Sequence, residues 1–206
     1  MNAEVICMEL YLVRHGESCG NTGADDSADP CLTRRGQTQA RLLGQSLRTS
    51  PPDRILCSPL LRAVQTAQIA AQALAYTGTV ELSADLMETR PIVGYSGKPD
   101  EELRSICPNA VYPDRFSLPD ETPADALHRA QRVISALQKR FADARVLVVA
   151  HGQFNTSLLL AAVGAQACAA HFSQGNACVN RLSLSDTQAK VFYINRLEHL
   201  PDTLRT

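Results

Sequence analysis

The chain has 206 residues, 45% of them hydrophobic and 20% charged, with a formal net charge of −1. That length suits one domain with at most a small insertion, able to bury roughly 70% of its unfolded surface. The near-neutral balance argues against nucleic acid or a membrane surface as the main partner, so any positive potential must be confined to a small pocket.

No stretch approaches ~18 consecutive apolar residues, so no membrane span is expected. The seven cysteines (Cys7, Cys19, Cys31, Cys57, Cys107, Cys168 and Cys178) form no C-x-x-C pair. They read as reduced thiols packed like small hydrophobes. Met1-Asn2-Ala3-Glu4 lacks a basic leader and Glu9 interrupts the early apolar run, so the expected address is the cytoplasm.

Val5 to Val13 predicts a buried strand that ends abruptly in Arg14-His15-Gly16-Glu17-Ser18. Such a C-terminal strand tip is where open α/β sheets hold ligands. Gly16 is read as letting the backbone turn sharply and approach a ligand. Ser18 to Cys31 is polar and expected to run over the surface beside the tip. Thr33 is the expected N-cap of a helix from about Arg34 to Leu47, with Ala40, Leu43 and Leu47 on one face.

Ser50-Pro51-Pro52-Asp53 ends that helix, and Arg54 to Cys57 is a short buried strand. Ser58 and Pro59 predict an N-cap and N1 proline for a helix bearing Leu60, Val64, Ala67, Ala71 and Leu74, with Arg62 in its first turns. Thr79 to Leu82 is a third strand, followed by Asp85-Leu86-Met87-Glu88. About 89–121 reads as an irregular substrate-shaping insertion with one short helix near Asp100 to Ile106.

Thr122, Pro123 and Asp125 supply an N-cap, an N1 proline and an acidic N3 residue for the best-patterned helix, buried through Leu127, Ala130, Val133 or Ile134, Leu137 and Phe141. Arg145 to Ala150 is a continuous apolar run, as in a central parallel strand covered on both faces, and it ends in His151-Gly152. Gln153 to Val163 is a helix stopped by Gly164. Val179–Leu184 and Ala189–Ile194 predict a hairpin or closely paired strands at one side of the sheet. Strands alternating with helices indicate an α/β three-layer sandwich, a mostly parallel central sheet with helices on both faces. Two strands ending in His-Gly point to a two-histidine site.

Arg14-His15-Gly16-Glu17 with Asn21 resembles the signature of the histidine phosphatase superfamily, branch 1, the phosphoglycerate-mutase-like group. Leu32-Thr33-x-x-Gly36, Ser58-Pro59-Leu60-x-Arg62, Leu86-x-Glu88, His151-Gly152 and Asn195…His199-Leu200 follow in the family's order, so the resemblance covers nearly the whole chain. It implies a phosphatase-type enzyme in which His15 becomes phosphorylated and Glu88 donates the proton to the leaving group. Arg14, Arg62 and His151 hold the phosphoryl group in this scheme, Gly152 opens a helix whose N–H groups add donors, and Asn21 is a neutral donor to substrate oxygens.

The chemistry of those residues agrees. A neutral imidazole can attack phosphorus, and planar guanidinium forks match phosphate oxygens. Nearby guanidiniums are expected to depress the His15 pKa, with a carbonyl fixing its tautomer. Glu17 would repel a phosphate and is expected to orient Arg14 or Arg62. His128, His171 and His199 are read as structural.

The expected reaction is metal-independent phosphomonoester hydrolysis of a small phosphorylated metabolite, with no cofactor. A metal site lacks H-E-x-x-H spacing; Gly94-x-x-Gly97-Lys98 is no Walker loop, and no G-x-G-x-x-G follows the first strand. A phosphoglycerate-type mutase is the nearer alternative. The chain lacks Trp, and 89–121 holds only Arg90, Lys98, Arg104 and Arg115 as basic residues. A non-catalytic phospholigand-binding module would be expected to have lost the nucleophile or the acid, and both are present.

Overall fold

The computed structural model describes residues 7–27, 29–89, 100–111 and 121–206. Among them, seven strands form one sheet: β1 (Met8–Arg14), β2 (Arg54–Cys57), β3 (Val80–Leu82), β4 (Ala110–Val111), β5 (Arg145–Ala150), β6 (Val179–Leu184) and β7 (Ala189–Arg196). Their spatial order is β4-β3-β2-β5-β1-β6-β7. From β4 to β1 the neighbours are parallel. The hairpin partners β6 and β7 are antiparallel additions at the β1 side.

The central strands are apolar on both sides because both are covered. Tyr11 and Val13 of β1, with Leu147 and Val149 of β5, join a core closed by α1 (Arg34–Ser46), α2 (Leu61–Leu74) and α3 (Asp100–Ile106). The alternate residues Leu10, Leu12, Val146 and Val148 enter a second core beneath α4 (Pro123–Arg140) and α5 (Gly152–Ala162). The result is the three-layer sandwich. Leu12 is completely buried, so Leu12→Ala would cost about 2–5 kcal/mol through lost transfer energy and a cavity.

Local signals account for the helix starts. Thr33 accepts the Gly36 N–H at 3.0 Å. Thr122 and Asp125 form a complete capping box before α4. Gly164 takes a φ of +68° just beyond α5, a conformation that glycine adopts without steric cost.

The start of α2 departs from expectation. Its N-cap is Leu60 rather than Ser58, and the Leu61 N–H is bound by both Asp29 carboxylate oxygens at 2.8 and 3.0 Å. Asp29 and Pro30 are therefore buried, although their loop reads as surface. The two-residue β4 was not foreseen; it is too short to carry a period and forms only as an edge partner of β3. Met8 begins β1, while Val5 and Ile6 lie outside the described residues, as do 90–99 and 112–120 of the expected insertion. No helix among the described residues is long and apolar enough to cross a membrane.

Candidate active site

Because β1 and β5 are neighbours in register, with Arg14 opposite Ala150, their tips deliver His15 and His151 side by side. The His15 N–H is tied to the Ala150 carbonyl at 3.0 Å. The two imidazole centroids stand 5.2 Å apart. A cavity of about 550 Å³ opens above this junction, lined by Arg14, His15, Asn21, Arg62, Glu88 and Gly152 together with Ser18, Gln153, His171, Phe172 and Gln174.

His15 is 4% exposed. Its Nδ1 lies 2.7 Å from the Gly16 carbonyl oxygen, which can only accept, so that nitrogen carries the proton. Nε2 is left with its lone pair, and the Arg62 Nε–H donates to it at 3.2 Å. Burial first, then Arg62 and Arg14, holds the His15 pKa well below 6.5. The guanidinium effect expected from sequence is present but secondary to desolvation.

Arg62 is also ion-paired to Asp29 at 3.6 Å, so one buried carboxylate both caps α2 and steadies the arginine in its first turn. Arg14 donates through Nη1 to the Gln174 carbonyl, while its buried Nε has no partner among the described residues. An unpaired cationic donor beside the cavity is costly until a ligand anion meets it. Burial also lowers the Arg14 pKa.

His151 is fully buried, with its ring next to that of His15. Its Nε2 is 2.8 Å from the Ser58 hydroxyl, which itself accepts the Leu60 N–H at 3.3 Å. The His151 Nδ1 is buried and has no hydrogen-bond partner among the described residues. Burial and then Arg62 hold the His151 pKa well below 6.5.

Glu88 lines the cavity and at the same time caps α5. Its Oε1 accepts from the Thr89 and Phe154 backbone N–H groups at 2.9 and 3.0 Å, and Oε2 has one longer contact, 3.4 Å, to the Gln153 N–H. The sequence reading expected the helix after Gly152 to offer several N–H donors. Glu88 takes those of Gln153 and Phe154, and among the described residues only the Gly152 N–H stays open at that helix start. Asn21 turns its Oδ1 to the Ser18 N–H, the Ser18 hydroxyl and Asn176 at 3.0–3.1 Å, which leaves its amide nitrogen as the free donor.

Three further expectations are corrected. Glu17 touches neither Arg14 nor Arg62; it accepts from the Thr33 hydroxyl at 2.8 Å and pairs with Arg35 at 3.3 Å, anchoring the start of α1. Gly16 has no positive φ; a Cβ there would stand 2.6 Å from the Gly36 carbonyl oxygen, and one on Gly36 would stand 2.0 Å from that of Glu17. Both glycines exist for close backbone packing of the tip against α1. His171 was read as structural and instead borders the cavity, whereas His128 is exposed on α4.

Three supports were not legible in sequence. Gln174 pairs its amide with that of Asn180 at 2.8 and 3.0 Å beneath Arg14. Asn176 donates to the His15 carbonyl at 3.3 Å as well as to Asn21. Arg129, 2% exposed, grips Glu121 bidentately at 2.6 and 2.8 Å. It also donates to the Asp85 and Met87 carbonyls at 2.7 and 3.0 Å and stacks 3.8 Å over Phe154. This fastens the segment that ends in Glu88. Only its single charge among apolar α4 positions could have marked it.

All seven cysteines are free, and Cys19 and Cys31 lie with their sulfurs 3.7 Å apart in the loop beside the site. No cluster of three or more His, Cys, Asp or Glu suited to a metal ion occurs among the described residues.

Residues 10–196 fit the family model described as histidine phosphatase superfamily (branch 1). The uncharacterized phosphatase PhoE of Bacillus subtilis is 28% identical over 193 residues, covering 93% of this chain and 96% of that protein. The "probable phosphoglycerate mutase GpmB" of Yersinia enterocolitica is 30% identical over 165 residues, 76% of this chain and 75% of the other. A phosphoserine phosphatase of Entamoeba histolytica, solved with phosphoserine, superposes with a TM-score of 0.71 at 23% identity, covering 94% of this chain and all of that one, which bears on the fold alone. With the family match running through both strand tips, the chain belongs to branch 1 of the histidine phosphatase superfamily.

Proposed function

We propose that this chain is a metal-independent phosphomonoesterase that hydrolyses a small phosphorylated metabolite through a phosphohistidine on His15. The observation that carries the reading is the His15 ring. Its Nδ1–H is fixed on the Gly16 carbonyl, and its unprotonated Nε2 stands at the cavity with Arg62 at 3.2 Å. That is a nucleophile already in its reactive form and tautomer.

In the first step Nε2 attacks phosphorus and the bond to the ester oxygen breaks. Arg14 and Arg62 meet the charge on the equatorial oxygens, joined by the Gly152 N–H, the Asn21 amide and the adjoining His151 ring. The leaving alkoxide takes a proton from Glu88, held on Oε2, the oxygen with fewer contacts. Water then attacks the phosphohistidine, with Glu88 accepting its proton, and inorganic phosphate leaves.

Hydrolysis is preferred over mutase chemistry because the relative named a phosphatase matches across 96% of its length, against 75% for the mutase-named one. The chain also lacks Trp altogether. Its free thiols fit a reducing, cytoplasmic setting.

Labelling tests the mechanism. Phosphate label from a radioactive aryl phosphate should appear as an acid-labile, base-stable adduct that is absent in His15→Ala and decays to inorganic phosphate in water. Transfer of the label to 3-phosphoglycerate instead of water would establish a mutase. EDTA should leave the rate unchanged; a loss restored by zinc or magnesium would overturn the metal-independent scheme.

A further inference from the structure

Beside the phosphoryl cavity lies a second one of about 420 Å³, and Gln153 and His171 belong to the walls of both. Ala126 and Leu127 of α4 and Ser157 and Leu160 of α5 supply much of its lining. Its volume falls in the range, roughly 300–1,000 Å³, that binds small organic groups. Glu121 is the only charged lining residue among the described ones. Both of its carboxylate oxygens are engaged by Arg129, at 2.8 and 2.6 Å. The Thr89 hydroxyl is likewise committed, to Gln153 at 2.8 Å.

The charge is thus sharply divided between the two spaces. Arg14 and Arg62 are the guanidiniums of the first cavity, grouped at His15 where one phosphoryl group requires them. The described wall of the second offers carbon, hydroxyl and amide groups and the His171 imidazole, and no lysine or arginine. A carboxylate on the leaving group would be desolvated there with no lysine or arginine among the described residues to pair with it, which is strongly unfavourable. A neutral carbon chain would gain from burial.

We propose, resting on the phosphomonoesterase reading above, that the substrate straddles the two cavities. Its phosphoryl group sits at His15, and its alcohol portion passes Gln153 and His171 into the uncharged cavity. The preferred substrates are then phosphomonoesters of neutral, mainly apolar alcohols, rather than phosphorylated hydroxy acids or amino acids.

The test is phosphate release from a series of n-alkyl phosphates, ethyl to octyl. Leaving-group acidity changes little along this series, so differences report burial. We expect kcat/KM to rise about two- to fourfold per methylene before levelling off. Hexyl phosphate should exceed its ω-carboxylate counterpart, and also phosphoserine and 3-phosphoglycerate, by at least about tenfold.

Ser157→Trp, which fills the second cavity, should cut kcat/KM for hexyl phosphate by about tenfold and leave ethyl phosphate within about twofold. Ala167→Trp, from a different segment of the same wall, should do the same if the first variant does not fold. A flat alkyl series, a preference for the carboxylates, or equal losses on short and long esters would overturn the straddling substrate while leaving the phosphatase intact. Failure to hydrolyse any ester, ethyl and aryl phosphates included, would overturn both.

Discussion

The two strand tips carry the same dipeptide, His-Gly, at neighbouring positions of adjacent parallel strands, yet they present opposite ring nitrogens. At the β1 tip His15 donates from Nδ1 to its own neighbour's carbonyl and turns an unprotonated Nε2, which accepts from Arg62, to the cavity. At the β5 tip His151 meets Ser58 through Nε2 and leaves Nδ1 unpaired. Nothing in the dipeptide decides this; the difference lies in what the next element brings. For His15 it is the backbone after the strand, and for His151 it is the turn that ends β2.

The sharpest way to break the comparison is to remove each ring in turn. His15→Ala should abolish phosphoenzyme formation and lower kcat/KM by at least about 10⁴-fold, because nothing else at the site is placed to attack. A residual rate near that of wild type would assign the nucleophile elsewhere.

The β5 tip also depends on the loop that Arg129 fastens, since Glu88 from that loop caps α5. Arg129→Met should destabilise the fold by about 3–5 kcal/mol in urea unfolding, because it strands the Glu121 carboxylate and two carbonyls in a buried setting. A loss below about 1 kcal/mol would show that this network is dispensable.

His151→Ala should cost about 10²–10³-fold in kcat and still allow His15 to be labelled, as expected of a donor to the phosphoryl oxygens. Loss of labelling altogether would make the two rings equivalent and end the distinction. Ser58→Ala, which frees the His151 ring to change tautomer, should cost about 10–100-fold, the usual range for a group that orients a site residue.

The smallest expected effect is on the pH dependence of stability. Both histidines are held well below 6.5, burial being the first cause for each. In the unfolded chain they titrate near 6.5, so below that pH the unfolded state binds protons that the native state refuses. Stability is therefore lost as pH falls through 6.5, by up to about 1.4 kcal/mol per unit for each ring. His151→Gln should reduce the slope between pH 6.5 and 5 by about one proton. By the same depression, the acid limb of kcat/KM should lie below pH 6.5 once the substrate's own ionisation is removed.

What could be read without coordinates was local. Each tip is a run of apolar residues ending in a few polar ones, and that contrast is visible along the chain. Thr33 and the Thr122–Asp125 box reveal themselves within four residues, because a cap bonds to its own helix. The misreading of Glu17 shows the limit of such reasoning. Chain proximity to Arg14 suggested a partner, but consecutive positions diverge at a strand end, and the start of α1 arrives to claim the carboxylate. Ser58 has the sequence of a cap and is used by a histidine that follows it much later in the chain.

The sequence by itself determined the α/β layering, the two histidines and two arginines, and the family, since periodicity and short motifs are properties of neighbouring residues. Only the tertiary structure decided which nitrogen of each ring is free, that Glu88 is held by the start of α5, and that Asp29 steadies Arg62. It also decided that the cationic cavity opens beside an uncharged one. These are contacts between segments far apart along the chain, and hydrogen-bond direction and desolvation exist only once the packed elements bring such segments within a few ångströms and exclude water.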